Sequence, residues 1–516
     1  MTLLFNSLSQ YSSSLYETAR AILRSRQNQA AKVERLAEEF ESSEAECLRV
    51  KQDLQSRDDE LERMRQQLHS TQRELQELRD TPISLPADPP LLYHSYGPKM
   101  ISLCLTLTKK LGFRPTETAL NIMFRWLGIT SQVPSWESIR GWACRVGVAE
   151  LQSPVPLADD WIWMADHSNQ IGQEKVLKII GIRASDLPPP GETLRVEAMR
   201  VLAVVPGTQW KREDVRREYE KLAERIGSPR YLLTDGAVEL FESADTLGKP
   251  GKPVVRLRDM KHFAANAFER HIGKTERFND YISRLGRTRS SIQQTELGHF
   301  VPPPLKPKAR FMNLNAILRW GEMVSYHLTH YLSQARKDIA ADRMNEKLGW
   351  VRDFREDLAC WRRCQDVMTA SLSFINRNGL SQGTSKALAA MLEEFRTDES
   401  QHCETSDSLA RELTAFVADS EALLKEGERA WLSTEPLESS FGLFKQLEGQ
   451  HSKGGFTSLV AAMPIMLTDC TIEFVRKSLL AVSTKQMKAW VKENLGTTLT
   501  AKRSTAYREF SSLSPG

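Results

Sequence analysis

Read in sevens from Val33, the chain carries an a-series of Val33, Phe40, Cys47, Leu54, Leu61, Leu68 and Leu75, and a d-series of Leu36, Ser43, Val50, Arg57, Met64, Thr71 and Leu78. Eleven of these fourteen seam positions are apolar, and neither Gly nor Pro interrupts the run. A 3.5-residue period held this long predicts a left-handed coiled coil, about 70 Å long at ~1.5 Å per residue. So narrow a stripe needs a second strand to bury it, so a homodimer or higher homo-oligomer is expected. The competing reading is one long helix folded back on its own domain. The coil region is set at 14–81, and TPISLPADPP, with its four prolines, stops any helix in a linker at 82–97.

A chain of 516 residues exceeds one hydrophobic core, so several structural units are expected. Its longest apolar runs fall short of about 18 residues, which excludes a transmembrane helix. MTLLFNSLSQYSSS has no basic region before an apolar core, so no secretory signal is read and a cytoplasmic protein is expected. Seven scattered cysteines do not suggest a disulfide framework. Cys360 and Cys364, with His402 and Cys403 downstream, match zinc knuckles poorly, so zinc is not expected either. The net charge of +4 is uninformative, but Lys249 to Arg289 holds 11 Lys/Arg against 4 Asp/Glu. That segment suits phosphate neutralisation or, as plainly, a solvated helical face.

Past the linker, three helical segments, Pro98–Leu111, Pro115–Leu127 and Ser135–Leu151, are spaced as in a helix-turn-helix, giving a DNA-binding part at 98–155. Arg140 and Arg145 on the third segment are its expected DNA contacts. Short β-rich runs follow: DDWIWMAD, KVLKIIGIRA, AMRVLAVVPG, then a charged helix near 211–226, then RYLLTDGA and KPVVRLRD. They predict an α/β layer within 156–285. From 286 to 430 the pattern is helical, and a last helix opens near Thr434 or Glu435 in a final core segment at 431–480, before a tail at 481–516.

Asp166 ends WIWMAD, and Asp235 ends YLLTD just before Gly236. Both sit at strand C-termini, the edge of an α/β sheet where ligands bind. Two Asp and one Glu hold a pair of hard Mg²⁺ ions suited to phosphodiester chemistry. Glu438 in PLESSFGLFK is the third acid, with Lys445 two turns along the same helix. At these residues the sequence resembles the DDE-type DNA transposases, whose RNase H-like core places the first Asp on the first strand, the second after the fourth strand, and the Glu on a later helix. Asp259 and His262 in RDMKHFAANAFER resemble the C/DxxH signature of the hAT and related cut-and-paste superfamilies. The helical stretch before PLESSFGLFK resembles the all-helical insertion of those proteins. The upstream Tyr and Arg that insertion-sequence transposases carry on the Glu helix are not matched.

With the coiled coil and helix-turn-helix-like part read above, the resemblance gives a multidomain α+β chain whose RNase H-like core is interrupted by an all-helical insertion. It also implies metal-dependent cleavage of transposon ends and strand transfer into target DNA. Asp166, Asp235 and Glu438 are then the catalytic metal ligands for two Mg²⁺ ions, with Mn²⁺ able to substitute. Arg140, Arg145, Arg256, Arg258, Lys261, His262 and Lys445 are then DNA contacts, and the partners are double-stranded DNA and further copies of the chain. Taken singly, each motif has an ordinary explanation: Asp235 before Gly as a turn former, Glu435 and Glu438 as first-turn acids, His262 as a packed histidine. The rival functions are a DNA-binding regulator with an inactive core and a host nuclease of the same fold.

Overall fold

A computed structural model describes residues 8, 12–23, 25–26, 51, 55–73, 76, 87–169, 175–248, 251–305, 310–330, 341–393, 403–449, 457–495 and 499–513. The chain divides into two units, Met1–Ala87 and Asp88–Gly516. In the first, residues 55–73 are helical and exposed throughout. Seam residues Leu61, Met64 and Leu68 lie in that helix, whereas Val33–Val50, Leu54, Leu75 and Leu78 lie outside the described residues.

The second unit opens with α1 (Pro98–Leu111), α2 (Phe113–Trp126) and α3 (Trp136–Gln152). Ser135 caps α3 by accepting from the Ser138 N–H, as a Ser at that position should. Then come β1 (Trp161–Asn169), β2 (Lys175–Arg183), β3 (Arg200–Gly207), α4 (Arg212–Ile226), β4 (Tyr231–Thr234), the one-turn α5 (Val238–Phe241) and β5 (Val255–Arg258). The sheet order is β3-β2-β1-β4-β5. β1, β2 and β3 are antiparallel neighbours, and β1, β4 and β5 are parallel. The remaining named helices are α6 (Met260–Phe268), α7 (Glu276–Ile292), α8 (Arg310–His330), α9 (Ala341–Leu348), α10 (Arg355–Asn378), α11 (Thr384–Glu393), α12 (Glu404–Glu421), α13 (Glu435–Gly449), α14 (Ile472–Ala481), α15 (Thr484–Leu495) and α16 (Leu499–Leu513). Among the described residues no strand follows β5 except the isolated bridge between Leu380 and Ala430. None of the described helices is long and apolar enough to cross a membrane.

Alternation along the strands builds two cores. Trp161, Trp163 and Ala165 of β1 face Val215, Tyr219, Leu222 and Ile226 of α4. Ile162 and Met164 turn to the other face, where Ile180, Leu233 and Leu257 join the large helical core. Covering both faces explains why the strands read as nearly continuous apolar runs.

The first three helices share that large core. α3 buries ten of its seventeen residues and packs against the turn-rich segment Ser458–Met466, α14 and α15. Gly147 makes this approach close: a Cβ there would stand 2.0 Å from the Ala461 carbonyl oxygen. This corrects the expectation of a recognition helix free to enter a DNA groove. Arg145 points inward, donating from Nε to the Val482 carbonyl (2.7 Å) and from Nη2 to the Leu479 carbonyl (2.7 Å). Arg140 donates to Ser458 Oγ at 2.7 Å and is half-buried. The sequence pattern was amphipathic on too many sides for a surface helix, and the C-terminal segments supply the missing cover.

Candidate functional site

Met164 of β1 pairs with Leu233 of β4. Two residues farther along each parallel strand stand Asp166 and Asp235, on the face that Met164 and Leu233 share. Leu233 pairs in turn with Leu257 of β5, so Asp259 continues the same row. The pleat and the parallel register thus set three acids across one edge of the sheet.

Among the described residues, Asp166 and Asp235 accept hydrogen bonds from local backbone alone. Asp166 Oδ1 accepts from the His167 N–H (2.6 Å), and Asp235 Oδ1 accepts from the Ala237 N–H (2.8 Å). The turn after Asp235 needs Gly236, whose φ is 94°. Among the described residues, the second oxygen of each Asp receives no hydrogen bond. Burial pushes the Asp166 carboxyl up to about 7; repulsion from Asp235 and, more weakly, Glu438 adds to this, against the His167 N–H and His262.

Asp259 behaves differently. It caps α6, its Oδ1 accepting from the backbone N–H of His262 (2.7 Å) and lying 2.9 Å from His262 Nδ1. Its Oδ2 accepts from the N–H (2.6 Å) and hydroxyl (2.9 Å) of Thr434, just before α13. Burial opposes its ionisation, yet hydrogen bonds from His262 and Thr434 outweigh it and hold the carboxyl low. The Met260 N–H also donates to the Leu432 carbonyl at 2.8 Å. In the DxxH arrangement, then, the Asp fastens the start of α6 to the chain entering α13, and the His is held beside it. The hydrogen bond to Asp259 pushes His262 up to about 8, against burial and with help from Glu438 and Asp235.

Glu438 lies on the first turn of α13. Lys261 Nζ stands 2.6 Å from its Oε2, and His262 Nδ1 stands 3.9 Å from its Oε1. Glu435, the rival acid, instead accepts from Asn376 Nδ2 at 2.7 Å and is exposed. The structure therefore brings together Asp166, Asp235, Glu438, Lys261 and His262, and leaves Glu435 aside. Crowded carboxylates with open oxygens, and a Glu that attracts an ammonium, suit divalent cations.

The expected DNA contacts divide. Arg258 is exposed, forms no ion pair among the described residues, stacks over Phe241 and flanks Gly236 beside Asp235. Lys445 is exposed on α13. Arg256 is paired with Asp245 and stacks on Phe241, and Lys261 is paired with Glu438. Elsewhere in the basic segment, Arg270 pairs with Glu412, Arg277 with Asp357, and Arg284 with Asp280 and Asp353. Much of that charge is balanced by protein acids from helices remote in sequence.

One residue of this site escaped the sequence reading. Lys178 on β2 pairs in register with Asp166, faces the same side of the sheet, and is fully buried. Its Nζ donates to Ser440 Oγ of α13 at 2.8 Å, and burial lowers the ammonium to about 7. The signal was present: a single charge inside the apolar run VLKIIGI, where a buried strand tolerates none without a purpose.

No protein-family model matches the chain, and no curated protein matches it. Among solved structures it is similar to a Drosophila P element transposase strand transfer complex, with a TM-score of 0.36 and 11% identity over 82% of this chain and 99% of that one. A likeness at that level fixes neither fold nor chemistry.

Proposed function

We propose that this chain is a DDE-type DNA transposase that cleaves transposon ends and joins them to target DNA with two divalent metal ions. The observation that carries the reading is the meeting of Asp166, Asp235 and Glu438, from residues far apart in sequence, on one face at one edge of the sheet. Their order along the chain and their elements agree with the resemblance drawn from sequence: first strand, end of the fourth strand, late helix.

Mg²⁺ fits this donor set, being hard and usually held by few carboxylates together with substrate phosphate oxygens. Two such ions, when bound, activate the attacking oxygen and stabilise the leaving one. Asp166 and Asp235 would hold them from the sheet, and Glu438 from α13. Lys261, beside Glu438, is placed to meet a phosphate oxygen held at the same acids. Arg258, unpaired beside the Asp235 turn, is suited to hold the DNA backbone by its charge. Most of the rate enhancement then comes from positioning and charge neutralisation.

The test uses DNA bearing the sequences that flank the gene, incubated with the full chain and Mg²⁺ or Mn²⁺. Cleavage at the ends and joined products are expected. Binding without cutting would instead favour a regulator with an inactive core, and cutting without joining a host nuclease.

A further inference from the structure

Away from the acidic site, α10 and α12 pack against each other and carry a second constellation. Cys360 and Cys364 are one turn apart on α10 and so share a face. Cys403 stands immediately before α12, as its N-cap residue. The sulfurs of Cys360, Cys364 and Cys403 all lie within 4.8 Å of one another. Cys364 and Cys403 are buried.

The structure joins Cys360 to Cys403 as a disulfide. This corrects the expectation that the cysteines are unlinked, but a disulfide uses only two of the three sulfurs. It leaves unexplained why a third lies against the pair. A tetrahedral zinc ion accounts for all three: Zn–S bonds of about 2.3 Å put ligand sulfurs about 3.8 Å apart, and three cysteines with one further ligand are an accepted set.

We propose that Cys360, Cys364 and Cys403 form a structural zinc site that clamps α10 to α12, with one further donor completing the ion's coordination. α10 contributes two of the three sulfurs and the start of α12 the third. Reduction of the Cys360–Cys403 disulfide by a cellular dithiol supplies two electrons and two protons, giving three thiols. Zinc binding then releases their three protons. His402 lies outside the described residues.

The clamp bears on the acidic edge. α12 packs on α6, which carries Lys261 and His262, through Phe263 stacked on Phe416 at 4.0 Å, and on the turn after α6 through His271 Nε2 at 2.7 Å from Glu412. The site itself does not depend on the proposed reaction.

The full chain, purified under a dithiol reductant, should contain one zinc per chain by elemental mass spectrometry. Cobalt exchanged for zinc should give the intense visible bands of a tetrahedral thiolate site. Cys364→Ser should lose the metal. Unfolded in denaturant with a chelator and no added reductant, all seven cysteines should alkylate, which a retained disulfide would prevent. Reduced protein without zinc and without the cobalt bands overturns the proposal, whatever the variants do. So does Cys364→Ser retaining full zinc, or a persistent disulfide with Cys364→Ser as stable as the parent.

Discussion

Asp166, Asp235 and Glu438 are drawn together closely enough that repulsion from Asp235 and Glu438 adds to burial in raising the Asp166 carboxyl. We expect Asp166→Asn, Asp235→Asn and Glu438→Gln each to abolish cleavage and joining, a loss of 10³-fold or more on the order expected when a metal ligand is removed, while DNA binding persists. Glu435→Gln is the control. Its partner is Asn376 rather than the acidic edge, so its activity should stay near the parent's. Activity lost with Glu435→Gln but retained with Glu438→Gln would move the third ligand by one turn. Activity in all three variants would end the reading.

Metal-free stability offers a second measurement at this scale. Asp166 ionises in the folded chain only near 7, against an ordinary value of 3.8. Between those values the unfolded chain has already lost its proton while the folded one keeps it, so stability falls as pH rises through that window. His262 acts in the same direction farther up. Its folded value of about 8 exceeds 6.5, so its contribution is complete below 6.5 and is lost as pH rises through about 8. Urea unfolding without metal should therefore show declining stability across this range. In Asp166→Asn the lower part of the slope should vanish, with a gain of about 1 kcal/mol above pH 7. An unchanged slope would mean that Asp166 is not held protonated.

Among the elements, α13 shows what could and could not be read from sequence. Its opening at Glu435 was legible because an acid-rich first turn and an apolar periodicity mark a helix start. Asp235 was legible as the residue just past an apolar strand run, but β1 continues to Asn169, so Asp166 lies within its strand rather than at the C-terminus read from the sequence. What escaped was long-range: Thr434 meeting Asp259, Lys178 meeting Ser440, and the burial of α3 by residues beyond 457. No local pattern encodes a partner hundreds of residues away. The Lys178–Ser440 link yields a thermodynamic cycle. Ser440→Ala leaves a buried ammonium without that acceptor and should cost about 1–3 kcal/mol. Lys178→Met removes the charge and fills similar volume, so it should be near neutral or stabilising. The double variant should then be clearly more stable than Ser440→Ala alone, a non-additivity that urea titration reads directly. Simple additivity would show that the hydroxyl does not support Lys178.

For the whole molecule, the open question is what covers the seam of the N-terminal unit. Leu61, Met64 and Leu68 keep 50%, 52% and 60% of their surface exposed, although the heptad pattern places all three on one stripe. Burying a Leu or Met side chain stabilises by roughly 1.5–3 kcal/mol, and a stripe repeated along a helix of this kind multiplies that gain. Only a second helix of matching period collects it, and another copy of the chain is the partner always at hand. Two copies would also bring two acidic sites into one assembly, which suits an enzyme that must act on both ends of one DNA segment. We therefore expect the full chain to run as a dimer or larger in light scattering, and a chain lacking residues 1–78 to run at a lower order. Leu61→Lys with Leu68→Lys should shift the same equilibrium without removing any chain, since two charges placed in a seam oppose their own counterparts across it. Scattering masses that stay the same multiple of the chain mass in both variants would show that the coil is not the assembly element.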